Sequence, residues 1–210
     1  MLEKRQEKIR SLIRKRQLHF SVILENVMDP HNIGAVMRTC DAVGIGEIFL
    51  INTLDSEKNK VLGKRASSGA RKWVDVFEFY DLKKAFGFIK SKGYEDIWAT
   101  RIVENSQSLY EIDFTGKVAL LFGNEHTGLS EEAGLYATGN FVIPQVGMVQ
   151  SLNISVACAV SLYEGFRQRS AAGMYAKSAL SEVEQETVFK KYADRELIRF
   201  KGRNAIRIID

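Results

Sequence analysis

The chain has 210 residues, 45% of them hydrophobic and only two of them proline, which excludes a fibre, a linker or a disordered tail and leaves one ordinary globular domain. No apolar run approaches the ~20 residues that a membrane helix needs, and the opening MLEKRQEKIR is too polar for a secretory signal, so a cytoplasmic protein with no membrane partner is expected. The net charge of +4 divides into +5 over residues 1–18, −5 over residues 19–164 and +4 over residues 165–210, so basic ends flank an acidic body, as suits a polyanionic partner.

Residues 2–16 set Leu2, Ile9, Leu12 and Ile13 among alternating charges, which predicts a short amphipathic helix with a basic back that needs a partner surface. From residue 20 onward, apolar runs of strand length alternate with helical patterns. The order is FSVILENV, a helix, GEIFLIN, a basic segment, VDVFEF, a helix from Asp81, DIWAT, a loop, KVALLFG, a helix from Ser130, and NFVIP. This alternation predicts an α/β fold with a mostly parallel sheet of about six strands, buried on both faces. After Pro144 a long helix is expected to start near Ser151, with Leu152, Val156, Ala159, Val160 and Tyr163 on one side and Gly165 as its stop. Ser181-Glu182-Val183-Glu184 has the form of a capping box, so a final helix begins there and runs through KKYADRELIRFKGR. The expected division is a basic N-terminal helix over 1–18, the α/β domain over 19–165 and a basic helical extension over 166–210. Cys40 and Cys158 sit inside apolar stretches and read as reduced, buried hydrophobes.

Three segments concentrate polar residues at strand ends. In Asp29-Pro30-His31-Asn32-Ile33-Gly34-Ala35-Val36-Met37-Arg38-Thr39, Asp29 is a good N-cap and Pro30 a good first helical residue. Ile33, Val36, Met37 and Cys40 have core spacing, which turns His31, Ala35, Arg38 and Ala42 to the opposite face. There Arg38 suits either a phosphate or plain solvent. The second segment, Phe122-Gly123-Asn124-Glu125-His126-Thr127-Gly128-Leu129-Ser130, suits a polar ligand loop, or a connection in which Glu125 ties backbone amides and Ser130 caps a helix. In the third, Ile143-Pro144 leads through a glycine-containing loop to Ser151-Leu152-Asn153, where the amides of a helix N-terminus are free for a carboxylate or an adenine edge. Between Lys58 and Lys72 lie six basic residues and no acid, a phosphate-contact segment or a solvated charge run. A P-loop, a complete dinucleotide fingerprint and a Gly-x-Ser-x-Gly elbow are missing from the sequence, and three histidines without ligand spacing argue against a metal.

Taken in order, Asn32-x-Gly34-Ala35-x-x-Arg38-Thr39, Phe122-Gly123-x-Glu125-x-x-Gly128-Leu129, and Ile143-Pro144 with Ser151-Leu152-Asn153-x-Ser155-x-Ala157 resemble the three motifs of the SpoU family. These are RNA ribose 2'-O-methyltransferases of the SPOUT superfamily, and the resemblance covers roughly residues 20–165. It implies a C-terminal trefoil knot, S-adenosylmethionine as cofactor and a homodimer whose interface buries the apolar side of the Ser151 helix. The short basic extensions resemble those of members that methylate guanosine 18 in the tRNA D-loop, so tRNA is the implied partner. Methylation at a wobble position or of rRNA, and noncatalytic RNA binding on the same scaffold, are the alternatives. Carried over, Thr100, Gly123, Ile143 and Leu152 would hold the cofactor. Arg38 would be the catalytic arginine, with Asn32 and Glu125 orienting it and the loops, while Ser151 and Asn153 position cofactor and ribose. RNA contacts are expected at His31, Arg10, Lys64, Arg65, Arg167 and Arg169.

Overall fold

Strands rich in Val, Ile, Leu and Phe with no polar alternation must be covered on both faces, and that requirement organises the chain. The structure, a computed structural model, describes residues 1–54, 69–197 and 206–209. In chain order it contains α1 (Glu3–Arg14), β1 (Phe20–Glu25), α2 (Pro30–Ala42), β2 (Glu47–Ile51), a 3-10 turn at Ala70–Lys72, β3 (Asp75–Phe79), α3 (Leu82–Ser91) and β4 (Asp96–Thr100). There follow β5 (Gln107–Ser108), a second 3-10 turn at Leu109–Glu111, β6 (Val118–Phe122), α4 (Glu131–Gly134), β7 (Gly139–Val142), α5 (Ile154–Ala171), α6 (Glu182–Leu197) and β8 (Ile206–Ile208).

The strands form one sheet in the order β5-β7-β4-β6-β1-β2-β3-β8, and every pairing is parallel. The sheet thus has eight strands where about six were expected. The two additions, β5 and β8, span two and three residues, too short to leave a pattern. On one face, Val22 and Leu24 of β1 pack with α2 and α5 through Val36, Met37, Cys40, Cys158 and Leu162. On the other, Ile23 packs with α3 and α4 through Phe86, Ile89 and Ala133. Burial pushes the thiols of Cys40 and Cys158 up in pKa, so both stay protonated and pack as small hydrophobes.

Gly165 does not stop a helix. It lies buried inside α5, where a Cβ would come within 2.4 Å of the Phe20 ring, so its value is the close approach of helix to strand. The helix ends instead at Ala171, followed by Gly173 with φ +73°, the left-handed glycine that a helix C-terminus favours. The expected boundary at 165/166 therefore falls inside α5.

The two terminal helices find their partner surface in each other. Ile9 and Ile13 of α1 pack with Phe189 and Tyr192 of α6, Arg5 bonds Glu196 at 3.0 Å, and Arg10 bonds Glu186 at 2.9 Å with its guanidinium 3.9 Å from the Phe189 ring. The expected capping box is present: Ser181 N donates to Glu184 Oε2 at 2.8 Å and Glu184 N donates to Ser181 Oγ at 3.3 Å. Lys191 and Arg195 fasten α6 to Asp75 at the start of β3.

One cation in this region is anomalous. Arg71 is 3% exposed, and its three guanidinium nitrogens make no hydrogen bond to any described residue. Burial lowers its pKa, but a guanidinium stays charged, and a buried charge without a partner is destabilising. Arg71→Met, which keeps most of the volume, should stabilise the chain by about 1 kcal/mol, seen as a rise of about 2–4 °C in thermal melting; a lower Tm would contradict this.

Candidate active site

In a parallel sheet the carboxyl ends of the strands share one edge, and ligands bind where the chain order reverses. Here the reversal lies between β1 and β6. The chain leaves β1 into α2 on one face and leaves β6 toward α4 on the other, which opens a crevice between the two strand ends. All three polar segments reach this edge.

The first is built as its sequence predicts. Asp29 caps α2, its Oδ1 accepting from His31 N at 2.8 Å, with Pro30 in the first turn. Ile33, Gly34, Val36, Met37 and Cys40 are buried, so His31, Arg38 and Ala42 are exposed on the outer face. Arg38 has no hydrogen-bond or ion-pair partner among the described residues, leaving its guanidinium free for a ligand.

The second is a closed loop. Gly123 lies so near Gly128 and Leu129 that a Cβ would come within 2.3 Å of Leu129 N. Asn124 and Gly128 exchange backbone hydrogen bonds at 2.9 Å, with Gly128 at φ +71°. The role of tying backbone amides, open to Glu125 on the sequence, belongs to Asn124: its Oδ1 accepts from His126 N and Thr127 N, and its Nδ2 donates to Asn26 O at 2.7 Å. Ser130 caps α4 by accepting from Ala133 N at 3.1 Å.

Glu125 is thereby released to join the segments. Its Oε1 accepts from Asn32 Nδ2 at 2.8 Å, and Asn32 Oδ1 accepts from Asn153 Nδ2 at 3.2 Å. Asn153 in turn caps α5, accepting from Ser155 N at 2.9 Å. A single chain of side-chain hydrogen bonds thus runs from the loop after β6, through α2, to the N-terminus of α5. Arg38 stands apart from it on α2, and Ser151 is exposed beside Leu152.

Thr100, Gly123 and Ile143 follow or end the neighbouring strands β4, β6 and β7, and Leu152 precedes the α5 cap; all four are partly covered. Thr100 Oγ1 donates to Leu121 O at 3.4 Å. Together these residues offer apolar surface and backbone groups at one sheet edge, chemistry that suits a flat heterocycle better than a metal or a free phosphate.

The RNA-contact expectations divide. His31 is exposed on the Arg38 face. Arg10 is held by Glu186, and Arg167, though exposed, donates to Glu164 at 2.8 and 2.9 Å. Arg169 must be corrected: it is fully buried and donates to the carbonyls of Phe114, Gly116, Leu18 and His19 and to Gln17 Oε1. Burial lowers its pKa to about 10, and it serves as an internal tie that no RNA can reach. Lys64 and Arg65 lie outside the described residues. Sequence reasoning passed over Glu25 and Asn26; an acid closing the buried, largely apolar strand FSVILE was the available signal.

Comparison with known proteins agrees with this geometry. The model of the SpoU rRNA Methylase family matches residues 19–163. A tRNA (guanosine(18)-2'-O)-methyltransferase of Thermus thermophilus is 43% identical over 178 residues, covering 85% of this chain and 90% of the relative. The crystal structure of a TrmH/SpoU tRNA modifying enzyme from A. aeolicus superposes with a TM-score of 0.84 at 36% identity, covering 94% of this chain and 98% of the other. An AdoMet-bound rRNA methyltransferase from Sinorhizobium meliloti superposes with a TM-score of 0.63 at 29% identity, covering 76% and 59%.

Proposed function

The chain belongs to the SpoU methylase family, and from that premise we propose that it transfers the methyl group of S-adenosylmethionine to the ribose 2'-hydroxyl of guanosine 18 in the tRNA D-loop. The observation that carries this reading is the Glu125–Asn32–Asn153 hydrogen-bond chain, which joins all three motif segments at one sheet edge beside a free arginine. The test is incubation with labelled S-adenosylmethionine and unmodified tRNA, followed by mapping of the methylated ribose. Label at a D-loop guanosine is expected, whereas label at the wobble ribose, or in rRNA alone, would overturn the substrate.

Thr100, Gly123, Ile143 and Leu152 would hold the cofactor, whose fit rests on the apolar, backbone-rich character of that edge and on the space left by Gly123. When bound, S-adenosylmethionine supplies an electrophilic methyl group. The chain's own task is to bring a ribose oxygen to it and to stabilise the negative charge that grows on that oxygen as its proton leaves. Arg38 suits the second role, because a guanidinium carries five donors and a permanent charge and has no site to accept the proton. The proton then passes to water or a substrate phosphate. Asn32, Glu125 and Asn153 hold the loops in register, and Ser151, exposed at the same edge, is placed to meet the ribose.

The sheet order, with β4 between β6 and β7 and α5 crossing back to pack on α2 and Phe20, supports the trefoil knot of the family in this half. A homodimer is supported by apolar side chains left uncovered: Val156 is 47% and Tyr163 53% exposed on α5, and Val146 and Met148 are fully exposed in the loop before it. For RNA, the outer face of α1 offers Lys4, Lys8 and Arg14, exposed and without partners among the described residues. The terminal helices, packed together, would act as one basic module and not as two free arms. Among the described residues no helix is long and apolar enough to cross a membrane, which accords with a cytoplasmic site of action.

A further inference from the structure

β1 ends in a carboxylate. Glu25 is 1% exposed at the close of a strand whose other residues are buried too, and an ionised acid in such a place is costly unless its oxygens are fully engaged. They are engaged by one residue. Glu25 Oε2 accepts from Ser130 N at 2.9 Å, and Oε1 accepts from Ser130 Oγ in a short contact. Capping α4 does not explain a buried carboxyl group here, since α4 is a single turn and Ser130 caps it unaided. The next residue works on the other end of the same loop. Asn26 takes the left-handed conformation, φ +53°, which turns its carbonyl to accept from Asn124 Nδ2 at 2.7 Å. Its own side chain is fixed by Thr53 Oγ1 at 3.0 Å and by Leu54 N at 3.1 Å.

We propose that Glu25 and Asn26 form a clamp that holds residues 124–130 at both ends, and that Glu25 is a positioning residue for cofactor binding. This rests on the methyltransferase reading above. The clamp acts through the loop: Glu125 lies on the span that it holds, Gly123 packs under it against Gly128 and Leu129, and Glu125 passes the register to Asn32 and Asn153. Because the clamp bears on the crevice wall and not on the outer face of α2 or the α1–α6 module, it governs cofactor affinity and leaves RNA affinity alone.

The test uses the full chain with Glu25→Gln, Ser130→Ala, their combination, and Ser130→Thr, with S-adenosylmethionine affinity read by calorimetry and tRNA affinity by filter binding. Glutamine replaces one carboxylate oxygen by an N–H group facing a Ser130 Oγ that already accepts from Ala133 N, so Glu25→Gln should weaken S-adenosylmethionine binding about tenfold, the size of a lost strong hydrogen bond. Ser130→Ala should do the same, and the double variant should be little weaker than either, because the bond between the Glu25 carboxylate and the Ser130 hydroxyl is what both disturb. Ser130→Thr, which keeps the hydroxyl, should restore binding, and tRNA affinity should stay within about twofold throughout. In turnover, KM for S-adenosylmethionine should rise while kcat at saturation stays nearly constant. Additive losses, an equal fall in tRNA affinity, or a Glu25→Gln chain that binds the cofactor as wild type does would overturn the clamp. Should Glu25→Gln fail to fold, the Ser130→Ala and Ser130→Thr pair decides alone. A wild-type chain that binds no S-adenosylmethionine would instead count against the functional reading itself.

Discussion

Arg38→Ala should abolish methyl transfer, by at least about two to three orders of magnitude in kcat, while S-adenosylmethionine affinity stays within about twofold of wild type. The separation follows from where Arg38 stands. It is exposed on α2, outside the Glu125–Asn32–Asn153 chain, so its removal loosens none of the loops that form the crevice. Alanine is the best helix former, and the buried face of α2 does not include Arg38, so the variant should also melt as wild type does. What is lost is the fixed positive charge that meets the developing alkoxide. Arg38→Lys keeps a charge but not the planar fork, and a partial activity between the two is expected. The measurements are single-turnover methyl transfer and cofactor calorimetry on the same preparations. Retained turnover in Arg38→Ala would remove Arg38 from the chemistry, and lost cofactor binding would make it a structural residue.

The parts of the fold that were legible share a property: their signal is local. Asp29-Pro30 before i, i+3, i+4, i+7 apolar spacing predicts α2, Asp81 predicts α3, and Ser130 with Glu131 and Glu132 predicts α4; each cap is found in place. What was not legible depends on distant partners. Gly165 reads as a helix stop until Phe20, 145 positions earlier in the chain, is seen to fill the space above it. Arg167 and Arg169 look alike as a basic pair, yet one is exposed and the other is enclosed by carbonyls from residues 18, 19, 114 and 116. The charge at the two ends likewise changes meaning, because acids of α6 hold Arg5 and Arg10 of α1, while Lys4, Lys8 and Arg14 of α1 have no partner among the described residues. In the candidate site the three motifs are visible in order, but their union is a pair of hydrogen bonds spanning 93 and 121 residues, which no pattern within a segment can announce.

Gly123→Ala should disable the cofactor crevice while leaving the remainder of the fold in place. A Cβ at this position would stand 2.3 Å from Leu129 N and 2.4 Å from the carbonyl carbon and oxygen of Gly128. These are backbone atoms, which cannot rotate aside as the tip of a side chain can. Gly123 is not in the left-handed region, so the penalty is steric and is set by the loop that closes over it. To admit a methyl group, residues 124–129 must lift, breaking the Asn124–Gly128 backbone pair and drawing Glu125 away from Asn32. Overpacking of this kind costs about 1–3 kcal/mol, or about 2–4 °C in Tm for each kcal/mol in a chain of this size. Affinity for S-adenosylmethionine should fall by about two orders of magnitude or more, since the displaced backbone is the cofactor's own wall. Gly87→Ala is the control: a Cβ there meets nothing within 4 Å, and within α3 it should raise stability slightly through helix propensity and leave methyl transfer unchanged. Calorimetry and thermal melting on the two variants decide the matter, and a Gly123→Ala chain that binds S-adenosylmethionine at wild-type strength would mean that the cofactor does not rest on this loop.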